Sequence, residues 1–425
     1  MLRRLVILTM CAGFMSACGS DDTEEPLVIV SGNNATNNAT NNASNNATNN
    51  TTNNQTSNNA TNNGLQPFDR PDLVTLADED IVTADNGVSQ EISFTVPENT
   101  QSVVVTIVGA SPGSYTVRSW TNGDGTPLVN LGWLATDQGA PSLCLGCPQR
   151  VTSAESAMAG MVPTNPDVSV KPGTHAVTFY SYRQTSLVGN RTPLAGPARV
   201  IVTAKVAPAV PESGVLDLNL WFSGAQGLTA ETAPTDVNFQ QMLKDVGIVY
   251  GKVGLKLGRI TYNDIEGDFD IIENAIVPGN AMKDLFAQSA NAPQDAVNVF
   301  FVEDLLTGRA GQQGFGILLG VSGGIPGPVG LMGTERSGVV LALKRSPMAP
   351  TPLFKVMAHE VGHFLGLYHT TEQNAFGGPA VNDQLADTPE NDATYLMHNT
   401  GNGEILSPSQ GTTMRLNPWV RQEAN

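Results

Sequence analysis

The chain has 425 residues, with 22 Lys and Arg against 39 Asp and Glu, a formal net charge of -17. So acidic a balance excludes a nucleic-acid partner, because little is present to neutralise phosphates. Hydrophobic residues make up 40%, enough for real cores, and at roughly 100–200 residues per domain the length predicts two or three folded units. Charged residues are only 14%, with 43 Gly and 27 Pro, which favours short strands and turns over long helices. Four of the five His lie between 359 and 398, and that clustering is the first pointer to a site.

Met1-Leu-Arg-Arg4 is a basic leader before the apolar run Leu5 to Met15. That run is too short to span a bilayer stably and reads as an export signal. Its end, Phe14-Met15-Ser16-Ala17-Cys18, resembles a bacterial lipobox, although Met15 stands where Leu is commoner. The resemblance implies a signal peptide over 1–17, lipidation of Cys18 and a membrane anchor in the cell envelope. Gly19 resembles the residue that follows the cysteine in outer-membrane lipoproteins, which face the periplasm or the exterior. The alternative is an ordinary cleaved signal with Cys18 incidental. Residues 18–64 read as a disordered Asn/Thr-rich spacer. From Ser31 to Gly64 the chain cycles through Asn-Asn-Ala-Thr, and nothing there can offset the entropy of ordering it. Stacked Asn ladders are the other reading.

Residues 65–211 read as an all-β unit. Glu91-Ile-Ser-Phe-Thr-Val96 alternates as a half-buried strand does. Ser102–Val108 and Arg199–Val206 are β-branched runs, and Thr174–Tyr180 follows a Pro172-Gly173 turn. Many short strands between Gly and Pro turns suggest a sandwich, with a weak resemblance to the jelly-roll modules found beside secreted bacterial proteases. His175 is read as a strand-face residue. Cys144-Leu-Gly-Cys147 is read as a small-loop disulfide in an exported chain; a cysteine that blocks a downstream metal in a latent form is the alternative.

After a linker over Pro208–Gly214, residues 214–425 mix helices and strands, an α/β pattern. Leu216–Phe222 alternates as a strand. Asp236 or Thr235 caps a helix through Phe239, Met242, Leu243, Val246 and Val249, spaced i, i+3, i+4, i+7. Ala296–Val302 and Gly338–Leu343 read as strands buried on both faces.

The segment that carries chemistry is His359-Glu360-Val-Gly-His363-Phe-Leu-Gly366-Leu-Tyr-His369. Thr351 is expected to cap its helix, with Pro352 at the first helical position. His359 and His363, four residues apart, project from one face of that helix, ready to grip one ion. Glu360 sits beside them as a general base for a water, and Gly366 can adopt the left-handed conformation that stops the helix. His369 then returns as a third imidazole. Three neutral nitrogens leave one position of a tetrahedral Zn²⁺ open, as a catalytic zinc requires.

With those residues in place the chain resembles the metzincin zinc endopeptidases, most nearly the pappalysins. The resemblance extends to Ala386-Asp-Thr-Pro389, to Tyr395-Leu-Met397 and to Leu406-Ser-Pro-Ser-Gln410. It covers about 214–425. It implies one catalytic zinc held by His359, His363 and His369, cleavage of proteins or peptides with Glu360 as base, and Met397 as a Met-turn floor. A tyrosine common two residues after the turn methionine is replaced by Asn399; either activity is lower, or Asn399, His398 or Tyr395 supplies the donor. The cysteines that many relatives carry in this half are absent. Glu404 lies near the acid by which some relatives select basic residues, and the glycine-rich stretch Gly311–Gly330 is the expected substrate rim. Asp383, Asp387 and Asp392 offer calcium ligands or simple loop carboxylates. A degenerate protease domain in an envelope-anchored binding or adhesin lipoprotein is the competing reading.

Overall fold

The computed structural model describes residues 16–19, 70–110, 112–130, 149–184, 191–275, 281–293, 295–308, 317–344, 351–372 and 381–423. Of the stretch 18–64 expected to be a disordered spacer, Cys18 and Gly19 are described, in a strand; residues 20–64, Cys11, Cys144 and Cys147 lie outside the described residues. The described chain is mostly β-sheet, with few helices.

After the short strand β1 (Ser16–Gly19), the first half forms β2 (Leu73–Thr83), β3 (Ile92–Val96), β4 (Thr100–Gly109), β5 (Gly113–Thr121), β6 (Pro127–Asn130), β7 (Ser153–Glu155), β8 (Ala157–Val162), β9 (Gly173–Gln184), β10 (Arg191–Pro193) and β11 (Gly196–Val206). One antiparallel sheet runs β2-β11-β4-β8; the other runs β10-β9-β5-β6, with β3 on β9 and β7 on β5. Their facing side chains close one core, with Val103, Val105, Ile107 and Val200 from the first sheet against Phe94, Val117, Trp120 and Phe179 from the second. His175 is buried in that core, accepting from Trp120 Nε1 at 3.1 Å and donating through Nε2 to the Lys171 carbonyl at 2.8 Å.

The second half adds β12 (Gly214–Phe222), α1 (Val237–Gly251), β13 (Leu255–Asp264), β14 (Ile271–Ile272), α2 (Met282–Ala287), β15 (Val297–Val302), β16 (Asp304–Leu306), β17 (Ile317–Ser322), β18 (Val339–Ala342), α3 (Leu353–Phe364), β19 (Thr371–Glu372), β20 (Val381–Asn382), α4 (Pro408–Leu416) and β21 (Val420–Arg421). Its mixed sheet has the order β13-β12-β15-β18-β17-β16-β14. The period of two divides each strand between two cores. Val297, Val299 and Phe301 of β15 face α1 and α3, whereas Phe300 and Val302 face α2. Asp236 caps α1 by accepting from the Phe239 amide at 2.8 Å. The Tyr250 hydroxyl donates to the Ala358 carbonyl at 2.8 Å, fixing α1 against α3.

The two halves share buried surface. On β4, Val103 and Val105 point into the first core while Val104 joins Ala159 and Met161 of β8 in the core of α1 and α3. An unbroken β-branched strand buries both faces, and here the second face is covered by the other half of the chain. Polar groups close the same seam. The Lys205 ammonium donates to the carbonyls of Arg415 and Val420, each at 2.6 Å, and of Asn417 at 3.2 Å. Ser102 Oγ donates to the Leu416 carbonyl at 2.6 Å. These donors satisfy the open carbonyls at the end of α4, where a cation also suits the helix dipole. The apolar substitution Lys205→Met takes the side-chain donor from the Arg415 carbonyl, at roughly 1–3 kcal/mol before relaxation, while Asn417 keeps the Val420 amide at 3.0 Å and Val420 keeps Arg70 Nη2 at 3.3 Å. It is expected to lower the denaturant midpoint by the equivalent of about 1–3 kcal/mol with little change in slope; an unchanged midpoint in urea would show that the seam does not depend on this side chain.

Candidate metal centre

The helix that carries the motif starts one residue later than its caps suggest. Pro352 is the N-cap and makes no side-chain cap bond. Thr351 turns its hydroxyl to Asn402 Oδ1 at 2.6 Å. The reason is the bond to the loop after residue 400, which uses the group expected to cap the helix.

At the other end of α3 the stop is built as the glycine suggests. Gly366 has φ +103°, its amide donates to the His363 carbonyl at 2.8 Å, and the Leu367 amide donates to Gly362 at 3.0 Å. That pair of bonds is a Schellman turn. It reverses the chain and sets the Leu367 carbonyl 2.7 Å from His363 Nδ1. Two residues further on, His369 enters the same space.

All three imidazoles are fully buried, and their tautomers follow from their partners. His359 Nδ1 is 2.6 Å from the Leu396 carbonyl. His369 Nδ1 is 3.1 Å from Glu372 Oε2. A carbonyl only accepts, so Nδ1 of His359 and of His363 must carry the hydrogen, leaving each Nε2 with its lone pair. His359 Nε2 and His363 Nε2 each lie 3.2 Å from His369 Nε2. A tetrahedral ion with bonds of 2.0–2.1 Å spaces its nitrogen ligands about 3.3 Å apart. The three nitrogens therefore fit one zinc-sized cation, and converging lone pairs without a cation would repel. Burial, then the other imidazoles, holds the His359 pKa down to about 3 and that of His363 well below its usual value. Both shifts favour the neutral imidazole that a metal requires. Among the described residues this triad is the one group of His, Cys, Asp or Glu placed to hold a metal; Asp383, Asp387 and Asp392 do not come together as a second.

Two glycines make room for the site. A Cβ at Gly320 of β17 would come within 2.6 Å of Glu360 Cγ, and one at Gly362 within 2.8 Å of Met397 Sδ. Glu360 is therefore buried directly under β17, and Met397 sits against the helix between His359 and His363. The Met397 carbonyl accepts from the Thr370 amide at 2.9 Å, tying the residue after His369 to the same turn.

The other predicted residues are more dispersed. His398 donates from Nε2 to Asn391 Oδ1 at 3.3 Å, and burial, then the nearby His369, lowers its pKa. Asn399 is buried beside it. The Tyr395 hydroxyl points to the Asp387 carbonyl at 3.5 Å. Glu404 is held by Lys355 at 2.9 Å, which lowers its pKa. Glu372 was not anticipated, although an acid three residues after the third histidine is a readable signal.

Residues 280–417 match the family model of the M43 peptidases, described as pregnancy-associated plasma protein-A. That match, with the histidine triad, supports a pappalysin-type metzincin metalloprotease in this segment. A search of the curated proteins finds no match. Among solved structures, metalloproteinase-II from Bacteroides fragilis aligns at 9% identity over 50% of this chain and 61% of that one, with a TM-score of 0.28. An active-site mutant of a family two carbohydrate esterase from Clostridium thermocellum aligns at 11% over 55% and 65%, TM-score 0.15, and the Cellvibrio japonicus esterase at 9% over 54% and 64%, TM-score 0.13. The chain spans less than two thirds of each, and superpositions this loose bear on neither fold nor function.

The family implies a metal, typically zinc, and the pappalysin-type domain has the donor set to take it. Gly362→Ala is expected to push Met397 from the helix, at roughly 1–3 kcal/mol of overpacking, and to weaken zinc binding. Thermal unfolding and a zinc titration of the same variant check this; wild-type values in both would mean that the close approach is not required.

Proposed function

We propose that the protein is a zinc-dependent endopeptidase tethered to the cell envelope, with His359, His363 and His369 as ligands and Glu360 as general base. The observation that carries this reading is the convergence of three buried imidazoles, with His359 Nε2 and His363 Nε2 each 3.2 Å from His369 Nε2 and all three ligand atoms within 4.8 Å of one another, beside the buried carboxylate of Glu360. Zinc bound there supplies a lowered water pKa and polarisation of the scissile carbonyl. Glu360 accepts the proton of the attacking water and delivers it to the leaving amine. Its burial beneath β17 keeps that carboxylate close to the reacting bond and away from bulk solvent.

The edge of β17 is the place for an extended substrate. β1 pairs there in antiparallel register, Ser16 with Ser322 and Ala17 with Val321, which supports the capacity of this edge to accept a peptide strand. Cleavage before Cys18 removes Ser16 and Ala17, half of that strand, and opens the edge. Tyr395, before Met397, and His398 and Asn399, after it, flank the turn closely enough to supply a further donor to substrate. The first half is an accessory β-sandwich of jelly-roll type, and lipidated Cys18 with the Asn-rich spacer holds the enzyme at the outer membrane.

Glu360→Gln is expected to retain one equivalent of zinc and to lose at least about a thousandfold in peptide hydrolysis. Phenanthroline is expected to abolish hydrolysis by the unmodified enzyme, and added zinc to restore it. Full activity in Glu360→Gln, or a folded protein that takes up no zinc, defeats the reading. Cys18→Ala is expected to move the protein from the membrane fraction to the soluble fraction, and an unaltered distribution would remove the lipid anchor.

A further inference from the structure

We propose that Arg150, a residue of the first half of the chain, is a positioning residue for the metal ligand His369, acting through Glu372. This rests on the zinc reading above and goes beyond it, because it makes the N-terminal sheets part of the metal centre.

Arg150 lies just before β7, more than 200 positions ahead of the motif, yet it is 2% exposed. Its Nη2 is 3.6 Å from Glu372 Oε1. The other oxygen of the same carboxylate, Oε2, is 3.1 Å from His369 Nδ1. The guanidinium also stacks over the Tyr368 ring, 4.3 Å from its centroid, and Tyr368 precedes His369. One side chain therefore touches both the carboxylate that orients the third imidazole and the residue next to that imidazole.

The surroundings of Arg150 argue against a purely structural cation. Lys205 shows what such a cation looks like here, with three backbone carbonyls around one ammonium. The guanidinium nitrogens of Arg150 make no hydrogen bond among the described residues, although a buried charge is costly unless it is paired. The carboxylate its charge pairs with is Glu372, 6% exposed, and its field also reaches the buried Asp383. A carboxylate behind a ligating histidine fixes the ring's tautomer and orientation, and it can do so only if its own rotation is fixed. The guanidinium holds Oε1, so Oε2 faces Nδ1 and the Nε2 lone pair faces the metal. The seam around it is stiff: Thr152 Oγ1 donates to the Ile325 carbonyl at 3.2 Å, and Asn165 Nδ2 to the Gln384 carbonyl at 3.0 Å.

The test uses the full chain and measures zinc dissociation by competition with a chelator, together with the absorption spectrum of the Co²⁺-substituted protein. Arg150→Met is expected to bind zinc about tenfold more weakly and to change the Co²⁺ bands, with Arg150→Lys falling between. Glu372→Gln is expected to lose a similar factor, and the double variant no more than Glu372→Gln alone. Unchanged zinc affinity and spectrum in folded Arg150→Met overturn the proposal, as do losses that multiply in the double variant. Should Arg150→Met not fold, Glu372→Gln decides, since wild-type affinity there breaks the route by which Arg150 acts. A wild-type protein that binds no zinc would instead defeat the endopeptidase reading itself.

Discussion

Three Nδ1–H groups, each aimed at an oxygen, organise the rest of the second half. An imidazole can ligate through Nε2 only if its hydrogen is kept on the other nitrogen, and each of the three is kept there by a different piece of chain. The carbonyl of Leu396 comes from the turn that carries Met397, the carbonyl of Leu367 from the Schellman reversal, and the carboxylate of Glu372 from β19. The helix stop, the methionine turn and the short hairpin thus act as outer supports of one small space. That explains why a twelve-residue helix needs a glycine between its histidines and another beyond its end.

Much of this arrangement is legible in the amino-acid order. The spacing of His359 and His363 fixes a shared helix face, and Gly366 marks the reversal that returns His369. The i, i+3, i+4, i+7 apolar positions from Phe239 to Val249 predict α1 and its buried side. Alternation predicts β3, and the unbroken Val103–Val105 run already requires cover on both faces. These are local signals, set by periodicity and by the conformations open to glycine.

What is not legible is long-range. Thr351 is a good capping residue by type, but a bond to Asn402 claims its hydroxyl, and no local pattern announces that. Asp383, Asp387 and Asp392 look like a cation cluster when written in a row. In the fold each has its own donor, Asp383 the nearby Thr388 hydroxyl, Asp392 the nearby Thr394 amide at 2.9 Å and Asp387 the Ser409 amide at the start of α4 at 2.9 Å. Gly320 and Gly362 appear as flexible residues in sequence, yet their role is absence of volume beside Glu360 and Met397. The contact of Arg150 with Glu372 joins positions too far apart for any motif to connect.

The double-sided burial of β4 bears on how the chain tolerates being cut. Val104, Ala159 and Met161 are embedded among residues of α1 and α3, so a nick anywhere between residues 208 and 213 would leave the pieces gripping each other as they did before. Release of a free catalytic fragment would strip apolar surface bare on both products. Through these contacts the amino-terminal sheets form one wall of the core that carries α1 and α3.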